Sequence, residues 1–248
     1  VRLTVIGCSG SFPGPSSPAS CYLIEHDGFR LLLDLGNGAL GALQRYISID
    51  EIDAIMLSHL HADHCLDMCG LYVAQRYHPA GPRAAIPVWG PKGTAARLAR
   101  AYDLARDEGM GAEFDFHDLV EGVHEVGPFA VTAARVNHPV EAYGLRVATD
   151  GRAIVYSGDT GECPALVELS RGADVALIEA SCLDCAPAPD VHLTARQAAE
   201  HARSAGAGVL VLTHLVPWND PEQTLAEARE AFDGEVMLAA SGLVMDIG

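Results

Sequence analysis

The sequence predicts a layered α/β domain, an αββα arrangement of two β-sheets between outer helices, running as one unit over residues 1–248. Three observations predict it. The first half is built of short strand-like runs separated by turn residues, the second half alternates strand-like and helix-like segments, and no linker, repeat or low-complexity stretch divides the chain. The length is large for one domain, yet layered α/β domains of roughly 200 to 250 residues fold as single units.

The elements follow from local pattern. Strands are expected at Arg2 to Gly7, Cys21 to His26, Arg30 to Asp34 and Ala54 to Leu57, with a helical stretch at Ala39 to Tyr46 before the last of them. Helices are expected at Leu66 to His78 and Thr94 to Asp107, and strands near Phe129 to Arg135 and Gly144 to Ala148. Strand and helix then alternate: strand Ile154 to Ser157, helix Pro164 to Arg171, strand Val175 to Ala180, helix Thr194 to Ala205, strand Val209 to Leu212, helix Pro221 to Phe232, strand Val236 to Ala239. Asp220, Pro221 and Glu222 give the last helix a cap, an N1 proline and an early acid. The run Gly7-Cys8-Ser9-Gly10-Ser11-Phe12-Pro13-Gly14-Pro15 ends in no Gly-Lys-Ser/Thr, and its prolines cannot open a long helix. It reads as a loop at the rim of a site.

Composition narrows the class. Hydrophobic residues make up 49% and charged residues 20%, as in soluble globular proteins, and no apolar run approaches the roughly 20 residues that span a bilayer. Val1 to Gly7 alternates like a strand and lacks the basic-then-apolar layout of a signal peptide, so a cytoplasmic protein is expected. Seven cysteines, an odd and scattered set, fit reduced thiols, and Cys182-Leu183-Asp184-Cys185 is a lone CxxC without the second pair a zinc ribbon needs. The formal charge is −17, with 16 Lys+Arg and no basic cluster, which disfavours a long nucleic acid as partner. A small anion that meets only a metal site remains compatible.

His59-Leu60-His61-Ala62-Asp63-His64 leaves the apolar strand Ala54 to Leu57, a location that suits catalysis. Asp and His seldom crowd so closely at a strand end without a cation to offset their cost. Three single residues recur in the same kind of place: His138 after Phe129 to Val136, Asp159 in Ser157-Gly158-Asp159-Thr160, and His214 after Val209 to Leu212. Together they give two nearly complete spheres, His59, His61 and His138 for a first ion and Asp63, His64 and His214 for a second, bridged by Asp159. Five histidines and two carboxylates suit a pair of divalent ions, Zn²⁺ first, with Mn²⁺ or Fe as alternatives.

The order HxHxDH, His, Asp within SGDT, and His resembles the metallo-β-lactamase superfamily in its RNase Z-like branch, over nearly the whole chain. The resemblance implies the four-layer αββα metallo-β-lactamase sandwich and a metal-dependent hydrolase. His192-Leu193-Thr194 resembles the family's H-x-T segment and Ile178-Glu179-Ala180-Ser181 its HEAT segment, with Ile178 where the family has His. By that analogy His192 is a nonligand acid near the leaving group, Glu179 orients it, and Asp63 orients or deprotonates the attacking water. Asp at position 159, where true β-lactamases of this fold carry Cys, implies a phosphodiesterase. The RNase Z pattern places a long tRNA-gripping insertion and a basic loop between the third-motif His and the SGDT Asp. Here only Pro139 to Gly158 separate His138 from Asp159, enough for one hairpin.

The full set of segments, Gly7-Cys8-Ser9-Gly10-Ser11 and Thr213-His214-Leu215-Val216-Pro217-Trp218 among them, is similar to actinobacterial cyclic-nucleotide phosphodiesterases of this branch. The resemblance implies a small phosphodiester substrate, 3′,5′-cyclic AMP first, opened to a nucleoside monophosphate. The alternatives are an RNase Z-like RNA or tRNA 3′-processing nuclease, a thioester or lactone hydrolase, and a metal-binding scaffold. The segment Leu66 to His78, with Leu71, Tyr72, Val73 and Tyr77, reads as a core stripe or as the face of a homodimer.

Overall fold

The computed structural model describes residues 1–105, 109–184 and 190–248. Its fourteen strands are β1 (Arg2–Gly7), β2 (Cys21–His26), β3 (Phe29–Leu33), β4 (Ala54–Met56), β5 (Ile86–Gly90), β6 (Phe114–Asp118), β7 (Gly122–Val126), β8 (Phe129–Arg135), β9 (Tyr143–Thr149), β10 (Arg152–Tyr156), β11 (Val175–Glu179), β12 (Val209–Thr213), β13 (Glu235–Leu238) and β14 (Val244–Asp246). They form two seven-stranded sheets, ordered β14-β1-β2-β3-β4-β5-β6 and β13-β12-β11-β10-β9-β8-β7. Seven helices complete the described fold: α1 (Ala39–Leu43), α2 (Ala62–Cys65), α3 (Met68–Arg76), α4 (Thr94–Ala101), α5 (Pro164–Leu169), α6 (Ala195–Ala205) and α7 (Pro221–Arg229).

Side-chain alternation explains the layering. Leu3, Val5, Tyr22, Ile24, Leu31 and Leu33 of the first sheet meet Val131, Leu145, Val147, Ile154, Tyr156, Leu177 and Val211 of the second in one core. The intervening residues Leu23, Leu32 and Ile55 face outward onto α1, α3 and α4 through Leu43, Leu71 and Leu98. Ala176, Ile178, Leu210 and Leu212 likewise face α5, α6 and α7 through Leu166, Ala198, Ala202 and Ala228. Strands buried on both faces read as near-continuous apolar runs, which is why Leu31 to Leu33 and Val209 to Leu212 carry no polar positions. The result is the four-layer αββα sandwich read from the sequence.

Each sheet is mixed, and its parallel half positions the site. β3 through β6 run parallel in the first sheet and β10 through β13 in the second. Open parallel sheets bind ligands beyond the carboxyl ends of their strands. The short connection from His138 to Asp159 is the β9–β10 hairpin, paired from Arg152 with Thr149 through Tyr156 with Leu145.

Several expected boundaries move. The helix read at Leu66 to His78 is α3 preceded by the separate turn α2, so Asp63 and His64 sit on a helical turn rather than a loop. Between them Asp67 accepts the Leu40 N–H at 2.9 Å, which ties this corner to α1. The helix from Thr94 stops at Ala101, with Asp103 in the left-handed region at φ 63°, and Asp107 lies outside the described residues. Four strands escaped the pattern: β5 has Pro87 at its centre, β6 and β7 are exposed edge strands with charged residues, and β14 has three residues. Among the described residues no helix is long and apolar enough to cross a membrane.

One glycine ties the fold to the site. A Cβ on Gly36, just past β3, would lie 1.9 Å from the Asp63 carbonyl oxygen and 2.9 Å from the Ala19 Cβ. Gly36→Ala is therefore expected to destabilise the chain by about 1–3 kcal/mol, read as a lowered midpoint in urea denaturation.

Candidate metal centre

The candidate ligands arrive from four strand ends. His59 and His61 lie on the turn after β4, Asp63 and His64 on α2, His138 follows β8, Asp159 follows β10, and His214 follows β12. They gather into two groups, His59, His61, His138 and Asp159, and Asp63, His64, Asp159 and His214, each with ligand atoms within 4.8 Å of one another. Asp159 belongs to both. Every ligand residue expected from the sequence is thus brought to one place.

Ring orientation is fixed from outside. His59 Nδ1 lies 3.1 Å from Ser58 Oγ, whose own proton goes to Asp34 Oδ2 at 2.8 Å. His64 Nδ1 lies 2.7 Å from Asp34 Oδ2 and His138 Nδ1 3.2 Å from the Val191 carbonyl. His214 Nδ1 lies 2.7 Å from Ser181 Oγ. Carboxylate and carbonyl oxygens only accept, so His64 and His138 hold a proton on Nδ1, as His59 does against a Ser58 oxygen whose proton is already given to Asp34, and these three rings and His214 turn Nε2 inward. His61 is the exception and turns Nδ1 inward, 3.1 Å from His59 Nε2 and 3.2 Å from His138 Nε2.

These atoms fit a pair of cations. In the first group three ring nitrogens, His59 Nε2, His61 Nδ1 and His138 Nε2, converge with their lone pairs toward one another and the Asp159 carboxylate beside them. In the second, buried His64 Nε2 and Asp159 Oδ1 lack hydrogen-bond partners although they lie 3.1 Å apart. Orphaned buried polar atoms are costly, and a divalent ion satisfies both lone-pair sets together. Asp63 Oδ2 lies 3.4 Å from His64 Nε2 and 3.2 Å from His214 Nε2. The Ser11 N–H also points at His214 Nε2, at 3.2 Å, so the Gly-Ser-Pro loop does border the site.

Electrostatics say the same. Burial alone lowers His64, yet Asp159 and Asp34 outweigh it and hold the imidazole well above its ordinary value. Burial alone raises Asp159, but His214, His64 and His59 hold it well below the carboxylate range. His59, facing other histidines, is pushed well down, first by burial. The pocket therefore retains ionised carboxylates against burial and draws in positive charge.

Sequence reasoning missed Asp34. Fully buried just after β3, at φ 60°, it accepts the Ser58 N–H at 2.7 Å, the Ser58 hydroxyl, the Tyr156 hydroxyl at 2.7 Å and the His64 ring. Its signal was available: an acid directly after an apolar strand, the same placement that marks Asp159. His214, at φ 53°, is held in the left-handed region by main-chain bonds from Gly10 to Leu215 at 3.0 Å and from Leu215 to Cys8 at 2.8 Å.

His192 and Glu179 form a separate pair beside the ligand groups. Glu179, fully buried at the end of β11, accepts the Thr160 N–H at 2.7 Å, the Leu193 N–H at 3.1 Å, the Ser181 N–H at 3.3 Å and the His192 Nδ1–H at 2.8 Å. With four donors on its two oxygens, Glu179 is a holder of His192 rather than a free ligand. The His192 ring stacks on His214 at 5.5 Å and meets His138 edge-on at 5.5 Å. Burial lowers its pKa, but the Glu179 hydrogen bond and charge outweigh burial and raise it. The Cys182 main chain pairs with that of Thr194 in an isolated β-bridge, its thiol is free, and Cys185 lies outside the described residues.

Asp34→Asn keeps the shape but removes the charge that fixes His64. Removing such a support is expected to weaken metal binding about 10- to 100-fold, measured by competition with a chromogenic chelator. Stripping bound metal from the native chain is expected to lower its melting temperature, because ligands that bind only the folded state stabilise it.

The family model for the beta-lactamase superfamily domain matches residues 30–215. An uncharacterized protein of Mycobacterium leprae is 45% identical over all of this chain and 89% of its own length. The probable metallo-hydrolase YhfI of Bacillus subtilis is 30% identical over 99% of this chain and 100% of its own. The crystal structure of YhfI, a metallo-beta-lactamase fold protein, superposes with a TM-score of 0.87 over 99% of both chains at 29% identity. A ribonuclease Z of Myxococcus xanthus is 29% identical over 100% of this chain and 98% of its own, in an alignment of 305 positions. With sandwich, ligand order and relatives in agreement, the chain belongs to the metallo-β-lactamase superfamily, in its RNase Z-like branch, and is a metal-dependent hydrolase.

Proposed function

We propose that this hydrolase cuts a small phosphodiester, a 3′,5′-cyclic nucleotide with cyclic AMP first, to the nucleoside monophosphate. The observation that carries the reading is the Glu179–His192 pair, at 2.8 Å, set against two ligand groups that share Asp159. A histidine held by a buried carboxylate beside such a centre suits protonation of a departing alkoxide.

In this reading His59, His61 and His138 hold one ion, Asp63, His64 and His214 the second, and Asp159 both, with Zn²⁺ favoured by the histidine-rich donor set and Mn²⁺ or Fe as alternatives. A divalent pair, when bound, supplies Lewis acidity to phosphoryl oxygens and acidifies water. Asp63 orients the attacking water or takes its proton; burial would raise its carboxylate, but hydrogen bonds from His214 and His64 hold it well below its ordinary range, which favours the orienting role. His192 donates from Nε2 to the departing ribose oxygen while Glu179 fixes Nδ1.

Substrate size is supported by what the chain lacks. The M. xanthus ribonuclease Z alignment needs 305 positions for 248 residues here, whereas the YhfI alignment needs 250. The single β9–β10 hairpin between His138 and Asp159 and the charge of −17 also favour a small anion over a tRNA. Phe12 and Trp218, on the two loops that hold His214, meet at 5.0 Å with their rings tilted by 43° and Trp218 75% exposed, an aromatic surface on which a planar base can pack. The reading places the enzyme in the cytoplasm.

The test is to incubate metal-loaded protein separately with 3′,5′-cyclic AMP and with a precursor tRNA. Release of AMP with intact tRNA is expected; trimmed tRNA with untouched cyclic AMP would replace this reading with that of an RNA 3′-processing nuclease. His192→Ala is expected to keep its metal and lose about 10²- to 10⁴-fold in turnover, whereas Asp159→Ala is expected to lose metal, both checked by metal analysis alongside AMP release. Metal loss in His192→Ala would remove the residue from its assigned role.

A further inference from the structure

A cavity of about 410 Å³ opens beside the metal centre and shares His61 with it. Leu60 and Val140 give it apolar walls, and Lys92 and Arg97 line it as well. Lys92 is the sole lysine of the chain. Among the described residues neither cation has an ion pair or side-chain hydrogen bond, a state shared with Arg45, Arg100, Arg203 and Arg229, none of which lines this cavity, while Arg2, Arg30, Arg76, Arg83, Arg152, Arg171 and Arg196 each face a carboxylate. The one acid on the cavity wall, Glu141, is engaged elsewhere: Oε1 accepts the Tyr143 hydroxyl at 2.8 Å and lies 3.8 Å from Arg135.

The two cations are held in place by a tight turn. Pro91 is buried after β5, the Thr94 hydroxyl donates to the Pro91 carbonyl at 2.6 Å, and Gly93 at φ 89° starts α4. The Arg97 N–H donates to the Gly93 carbonyl at 2.9 Å, which places Arg97 in the first turn of α4, one turn beyond Lys92. In a chain of net charge −17, two cations without a paired carboxylate at a cavity bordering His61 make a local positive field in an otherwise repulsive molecule.

We infer that Lys92 and Arg97 form an anion-capture subsite, contacting an outward phosphate oxygen of the substrate beside the metal centre and drawing the anion into an acidic protein. The inference rests on the phosphodiester reading, and it adds the residues that recognise charge outside the ligand groups. Such contacts act on capture and binding and weaken as salt rises.

The test uses the metal-loaded full chain and the variants Lys92→Ala, Arg97→Ala and the double variant, with cyclic AMP as substrate from about 20 to 200 mM salt and inorganic phosphate as competing anion. The double variant is expected to raise KM for cyclic AMP and the inhibition constant of phosphate at least about ten-fold. Its kcat/KM should lose most of its dependence on salt, and Lys92→Arg should restore most of the loss. A double variant with native KM, native phosphate inhibition and native salt dependence overturns the subsite while leaving phosphodiester hydrolysis standing. A native chain that cleaves a neutral thioester and no phosphodiester overturns the functional reading, and the subsite with it.

Discussion

The Asp34 carboxylate is the constraint on which the rest of the site depends. It receives Ser58 from the turn after β4, Tyr156 from the end of β10 and His64 from α2, so one buried charge joins both sheets and the ligand-bearing turn. A buried carboxylate needs such donors to offset its desolvation. Through them His64 is oriented directly and His59 by way of Ser58, so one histidine of each ligand group is held in place by the fold itself. Ser181 on His214 and the Val191 carbonyl on His138 extend the same logic to the second sheet.

The cost of this arrangement explains its chemistry. Five histidines and two carboxylates share a few ångströms of mostly buried space, with His64 set between the Asp34 and Asp159 carboxylates at 2.7 and 3.1 Å. Such a cluster is a poor way to stabilise a fold, since well-packed apolar groups would do as much without desolvating charge. Its retention at the carboxyl ends of two parallel half-sheets is what a site designed around cations requires. The αββα sandwich supplies the rigidity: a shared core between the sheets and two outer cores beneath the helices leave the strand ends little freedom to shift.

Much of this was legible in the sequence, and the reasons are local. The HxHxDH cluster is dense enough to announce itself, and His138, Asp159 and His214 share a placement at the ends of apolar strands. Glu179 and His192 were carried by family resemblance, and the structure joins them by a hydrogen bond. Asp34 shares that strand-end placement, but its role was hidden because its partners Ser58, Tyr156 and His64 lie 24, 122 and 30 positions away. β6 and β7 hid for a different reason: edge strands keep charged residues exposed and show no apolar alternation. The split of α2 from α3 was invisible because both carry helix-forming residues, and the break is made by the tertiary bond from Leu40 to Asp67.

The most direct test of the account is the metal content of the purified native chain after extensive dialysis against metal-free buffer, measured by elemental mass spectrometry against protein concentration. Two equivalents of a divalent transition metal per chain are what a centre sharing Asp159 between two ligand groups requires. A fully folded and active chain holding one equivalent or none would contradict it.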